Sequence, residues 1–210
     1  MKTSKIILIS ILATIIIWIT AVFFTATSKI KQLLKENGFE QTDTVNKVNK
    51  GKTFKLENFS VAVVSGNGKI TVEQSENNSF QCFSDNQILP EIKNDTLFLP
   101  ADNNDNYINA VKLNTVILTD KVKADISDFK TDTFNIQTRE KSEANLNDLK
   151  IKVLNILTEG KSSVKLYDLT GNNIETKLVL KDKSKIYIDN SDNLNLSLKK
   201  DSEAKLEISN

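Results

Sequence analysis

Histidine is absent from the 210 residues, and with it the commonest general base and the commonest transition-metal ligand. Cysteine occurs once, as Cys82, so neither an internal disulfide nor a cysteine-built zinc site can form. Cys82 lies in the alternating run SFQCF and reads as a small core residue rather than a nucleophile. Arg139 is the single arginine, which excludes a cluster of guanidinium forks for phosphate or carboxylate. Neither sign of charge predominates: 28 basic residues face 27 acidic ones, a net charge of +1. That balance argues against a protein that wraps nucleic acid. The composition therefore argues against most familiar catalytic sites, and no enzyme, catalytic residue, cofactor or metal site is expected.

A long apolar run is present at the N-terminus. Residues 6–28, IILISILATIIIWITAVFFTATS, carry no charge between Lys5 and Lys29. At about 1.5 Å per residue the run reaches roughly 34 Å, enough for a hydrocarbon core of about 30 Å. It reads as an uncleaved transmembrane anchor behind a short basic N-terminus, residues 1–5. A secretory signal peptide is the alternative, although signal cores run only about 7–15 residues. No cysteine follows the run, so a lipoprotein anchor is excluded. Lysines stand on both sides of it, so charge alone does not orient the chain. Residues 29–52 read as a juxtamembrane helix, with Ile30, Leu33 and Leu34 at helical spacing and Gly38 as its stop, followed by a polar tether.

Beyond the tether the chain repeats itself. EKSEANLNDL, GKSSVKLYDL, DKSKIYIDNS and KDSEAKLEIS recur at similar intervals between residues 140 and 209. Aligning on one apolar column gives Ala124, Ala144, Val164, Ile186 and Ala204, with gaps of 20, 20, 22 and 18. A second column, two residues on, holds Ile126, Leu146, Leu166, Ile188 and Leu206. A third, eight residues before the first, holds Val116, Ile136, Ile156, Leu178 and Leu196. The longer gap coincides with the turn-like Thr170-Gly171-Asn172-Asn173.

Within each copy apolar and polar residues alternate, the period of a strand with one buried face. VILT, ADIS and TDTFN read as three strands of the first copy. Short strands recurring about every 20 residues predict an all-β, right-handed parallel β-helix over residues 53–210. No proline follows Pro100, so nothing interrupts the ladders beyond it. An antiparallel sandwich would want Asn-Gly or Asp-Gly hairpins, which residues 116–210 lack. In the less regular residues 53–115, Gly68-Lys69-Ile70-Thr71-Val72 repeats the rung core, and SFQCF and DTLFLP read as short capping strands. ADNNDNY, residues 101–107, reads as turns. At the far end Lys199, Lys200, Asp201, Glu203, Lys205 and Glu207 put charge on an open rung, which opposes end-to-end stacking.

With this pattern, residues 58–210 resemble the head GIN domain family of auto-transporter adhesins, frequent in Bacteroidetes. SVAVVSGNGKITVEQ, NDTLFL and the rungs GKSSVKLYDL, DKSKIYIDNS and DSEAKLEIS carry the resemblance. The family's rungs show Gly, a small residue and Ser before a short strand. Ser142, Ser162, Ser184 and Ser202 hold the Ser position, whereas only Gly160 keeps the glycine, with Glu140, Asp182 and Lys200 in its place. The resemblance implies a β-helix outside the cytoplasm and brings no catalytic residues.

Three surface ladders are candidates for contact. Lys121, Lys141, Lys161 and Lys183 share one position, followed by Asp201, and form either a solvated turn edge or a ridge for an anionic polysaccharide. Asp128, Asp148, Asp168 and Asn190 form an acidic column, read first as turn formers. The serine line has no base beside it to make a nucleophile. The function expected is a membrane-anchored, extracytoplasmic, adhesin-like binding module, periplasmic or cell-surface. Its partners would be the membrane through residues 6–28 and an envelope polysaccharide or protein, not nucleic acid. The alternatives are a polymerising β-helix scaffold at the membrane and a polysaccharide-acting enzyme.

Overall fold

A computed structural model describes residues 51–83, 89–171, 173–189 and 194–209. The expected anchor at 6–28 and nearly all of the tether at 29–52 lie outside these residues. Among the described residues there are strands and no helix.

The strands follow one another as β1 (Lys52–Lys55), β2 (Val61–Gly66), β3 (Lys69–Gln74), β4 (Ser79–Cys82), β5 (Glu91–Lys93), β6 (Thr96–Ala101) and β7 (Asp105–Ala110). The regular repeats supply β8 (Thr115–Leu118), β9 (Lys123–Ser127), β10 (Thr133–Thr138), β11 (Glu143–Asn147), β12 (Val153–Thr158) and β13 (Ser163–Tyr167). The last strands are β14 (Ile174–Leu180), β15 (Lys185–Asp189), β16 (Leu194–Lys200) and β17 (Lys205–Ser209). They form two mixed sheets, ordered β1-β4-β7-β3-β9-β11-β13-β15-β17 and β16-β14-β12-β10-β8-β2-β6-β5. From β8 onward successive strands alternate between the sheets, and each pairs in parallel with the strand two further along. The antiparallel pairs are confined to one end: β1 with β4, β4 with β7, and β5 with β6.

Parallel pairing in register stacks the apolar columns. Ile70, Ala124, Ala144, Val164, Ile186 and Leu206 are neighbours in turn. In the other sheet Leu97, Ala62, Val116, Ile136, Ile156 and Leu178 do the same, and all six are buried. Each such Leu or Ile gains roughly 1.5–3 kcal/mol by leaving water. Adjacent members stand about 4.8 Å apart.

Two expectations need correction. Each repeat has two strands rather than three. TDTFN contributes to β10, the first strand of the next repeat, and among the described residues the third side holds only the single-residue bridges Lys130↔Lys150 and Lys150↔Thr170. The last copy is displaced by two residues from the expected alignment. Ile186 pairs with Leu206 rather than Ala204, Ile188 with Ile208, and Leu178 with Leu198 rather than Leu196. A two-residue slide keeps every side chain on its own face, so alternation alone cannot detect it. In the first repeats chain order is not spatial order. β6 and β7 stack outside β2 and β3, whose other edges take β8 and β9.

That rearrangement explains three residues. The β2–β3 turn runs against Ala101 and Asp102. A Cβ on Gly68 would stand 1.6 Å from the Asp102 carbonyl oxygen, and one on Gly66, at φ +115°, 2.3 Å from that of Ala101. Pro100 sits inside β6 without breaking the sheet, because β5 pairs only with Thr96, Leu97 and Phe98, leaving its missing N–H unneeded.

Candidate functional site

Two grooves run along the sides where the sheets meet. The first lies at the turns entering β9, β11 and β13. Its lining includes Gly66, Asp120, Lys121, Glu140, Lys141, Gly160 and Lys161, around a space of about 640 Å³. The structure thus brings three of the four expected ridge lysines together. The turns entering β9 and β11 are closed by backbone bonds, Val122 N–H to Thr119 C=O at 3.4 Å and Ser142 N–H to Arg139 C=O at 3.1 Å. Central turn residues take left-handed backbone: Asp120 at φ 59°, Lys121 at 73°, Glu140 at 54°, Lys141 at 71° and Asp182 at 56°. Gly160, at φ 70°, occupies the same position, where a glycine costs least.

Charge in this groove is mixed. Asp120 and Glu140 stand among the lysines. A hydrogen bond with the Asp120 side chain, then the charge of that group, holds Glu140 above its ordinary value. Lys183 lies one repeat further on and pairs with Glu203 at 3.7 Å. The paired register therefore places Glu203, not Asp201, in the lysine column, and Ser202 in the Glu140–Gly160 column.

The serine line lies beneath these turns. Ser142, Ser162 and Ser184 are buried, and the Ser142 hydroxyl donates to the Arg139 carbonyl. Ser202 is exposed. Ala204 takes the Ser position in the last copy, its N–H bonded to Asp201 C=O at 3.2 Å as Ser184 N–H is to Lys181 C=O at 3.3 Å.

The acidic column occupies the exits of β9, β11 and β13. Asp128, Asp148 and Asp168 all have left-handed backbone, at φ 65°, 51° and 50°. Each turns the chain so that the next residue, Phe129, Leu149 or Leu169, drops into the core. Asn190 lies outside the described residues. The turns expected at 101–107 shrink to residues 102–104, because Ala101 ends β6 and Asp105, Asn106 and Tyr107 open β7; there Asn104 bonds the Asp102 carboxylate through its N–H at 3.0 Å and its Nδ2 at 2.8 Å.

The second groove follows the bridge side and encloses about 1070 Å³. Lys112, Lys130, Lys150 and Lys152 line it, with Asp132 as the single acid, so its lining carries a net charge of +3. Lys152 pairs with Asp132 at 2.7 Å, which raises the lysine and lowers the aspartate from their ordinary values. Lys112, Lys130 and Lys150 have no carboxylate partner among the described residues. The backbone bridges hold Lys130 and Lys150 at the spacing of paired strands, about 4.8 Å. Val111, Ile151 and Gly171 supply apolar lining, and the lining contains no aromatic residue. Sequence reading missed this groove. The signal available was the repeat Asp-Phe-Lys, Asp-Leu-Lys at 128–130 and 148–150, just behind the acidic column.

No protein-family model and no curated protein matches the chain. Among solved structures, a candidate adhesin from Bacteroides fragilis is 14% identical, spans 76% of this chain and 96% of its own, and has a TM-score of 0.46. A candidate lipid-binding protein from Parabacteroides distasonis is 9% identical over 75% of this chain and 93% of its own, with a TM-score of 0.45. A candidate adhesin from the same species is 10% identical over 76% and 96%, with a TM-score of 0.39.

Proposed function

We propose that this chain is a membrane-anchored, extracytoplasmic binding module, adhesin-like and without catalytic activity, that holds an extended polyanionic glycan in its bridge-side groove. Its two ladders wind as a right-handed β-helix of the GIN type. The alternation of strands between sheets, with parallel pairing two strands on, supports the winding. The uncharged run at 6–28 supports the anchor.

The groove carries the reading. Three lysines without a carboxylate partner among the described residues, and one paired lysine, face solvent along a line crossing the repeats, over an apolar floor. A chain of carboxylates or sulfates gains from each lysine, and it relieves the repulsion that Lys130 and Lys150 exert on each other. Single-stranded nucleic acid suits the groove less well, because its bases stack on aromatic side chains and the lining has none.

The test is retention of the full-length protein, in detergent micelles, on immobilised dextran sulfate, alginate and neutral dextran. Retention on the two anionic polymers, released by salt, is expected. Lys130→Ala/Lys150→Ala should lose most of it, and Lys141→Ala/Lys161→Ala should keep it. Equal retention on neutral dextran, tighter retention on single-stranded DNA, or no effect of the Lys130/Lys150 pair would overturn the proposal.

A further inference from the structure

We infer that the uncovered edges of β16 and β17 pair with the same edges of a second copy of this chain, head to head about a twofold axis. Among the described residues β16 and β17 end their respective sheets. The apolar columns run on into them but are no longer covered. Leu196, Leu198 and Ile208 are 36%, 43% and 55% exposed, whereas their neighbours one strand in, Thr176, Leu178 and Ile188, are buried. Unpaired backbone groups above an exposed apolar column form a template for another strand.

Charge selects the occupant. β17 reads Lys205-Leu206-Glu207-Ile208-Ser209. Antiparallel pairing of two copies centred on Leu206 sets Lys205 of each opposite Glu207 of the other, and Leu206 against Leu206. On β16 a pairing centred on Ser197 sets Leu196 opposite Leu198 and Asn195 opposite Lys199. Neither alignment places like charges face to face, so the charge on this rung, expected to oppose end-to-end stacking, does not oppose this pairing, and opposite charges across strands favour it. The other end of the sheets is a poorer partner. Its edges are β5, three residues long, and β1, four residues long and bounded by Lys52 and Lys55. The arrangement is therefore a closed dimer rather than a head-to-tail filament.

Two measurements on the full-length protein in detergent micelles test this. First, Leu206→Cys should yield a disulfide-linked dimer on mild oxidation, since paired antiparallel residues stand at about 4.5–5.5 Å between Cα atoms, within disulfide range. Lys205→Cys should not, but Lys205→Cys/Glu207→Cys should. The buried Cys82 serves as the background thiol. Second, sedimentation should show a dimer that Lys205→Glu weakens by roughly tenfold and that Lys205→Glu/Glu207→Lys restores. A monomer at every concentration, absence of the cross-link in Leu206→Cys, a charge exchange that fails to restore, or filaments by electron microscopy would each overturn the proposal.

Discussion

Thr138 donates a hydrogen bond to the Thr158 hydroxyl across 2.7 Å, and both residues are buried in the same column of the eight-stranded sheet. Leu118 precedes them in that column and Leu180 follows. Two polar groups thus sit between apolar neighbours and satisfy each other. Thr158→Val removes the acceptor and leaves a buried donor, which costs about 1–3 kcal/mol. Thr138→Val/Thr158→Val removes both groups with little change of shape, and the stability should return close to that of the parent. Urea unfolding of the parent, both single variants and the double variant checks this, and a double variant as unstable as the single would contradict it.

The turn residues point to a gain. Glu140 and Lys141 hold φ of 54° and 71°, a region that costs a residue with a Cβ about 1–2 kcal/mol. Gly160 already relieves this one repeat on. Glu140→Gly should therefore stabilise the fold by about 1 kcal/mol, less whatever the looser unfolded chain takes back. The denaturation midpoint would rise with an unchanged slope. A fall in the midpoint would mean that the Glu140 side chain contributes more than its backbone costs.

How much of this was legible in the residues depends on what alternation can encode. The columns headed by Ala124, Ile126 and Val116 keep their expected register through four copies, because each position repeats in type. The fifth copy failed because Ala204, Leu206 and Ile208 are all apolar and two residues apart. Either slide buries the same face. The turn decides instead: Ala204 closes on Asp201 as Ser142 does on Arg139, and Lys183 meets Glu203. The lysine ridge was visible because it fills one column. The basic groove was not, because Lys112 and Lys152 come from different columns than Lys130 and Lys150, and only the folded bridge side gathers them. The placement of β6 and β7 outside β2 and β3 left no periodic trace, since it reverses spatial order without altering the pattern.

Glu140 should also report on pH. Asp120 holds its carboxyl above the ordinary 4.5, first through a hydrogen bond and then through charge. A raised carboxyl favours the protonated form in the fold. Its stabilising contribution is complete below the unfolded value and is lost as pH rises through the folded one. Asp132 behaves oppositely, since its hydrogen bond and charge interaction with Lys152 lower it. That contribution is present above the ordinary 3.8 and disappears as pH falls through the lowered value. In a carboxyl NMR titration, Asp120→Asn should move the Glu140 midpoint down and Lys152→Ala the Asp132 midpoint up. An unmoved Glu140 midpoint would show that Asp120 is not its partner.

Ser162 and Ser142 occupy the same turn position but differ in what their hydroxyls do. Ser142 donates to the Arg139 carbonyl. The Ser162 oxygen is buried and has no hydrogen-bond partner among the described residues. Ser142→Ala should therefore cost about 1 kcal/mol, the net worth of one hydrogen bond. Ser162→Ala removes a buried polar atom that gains nothing in return for its lost hydration, so it should be neutral or stabilising. The same pair bears on chemistry, since a line of serines kept for their small size and turn bonding predicts that neither substitution alters glycan retention. Thermal unfolding and the retention assay read both quantities on the same samples. A destabilised Ser162→Ala would mean that its hydroxyl is satisfied in solution.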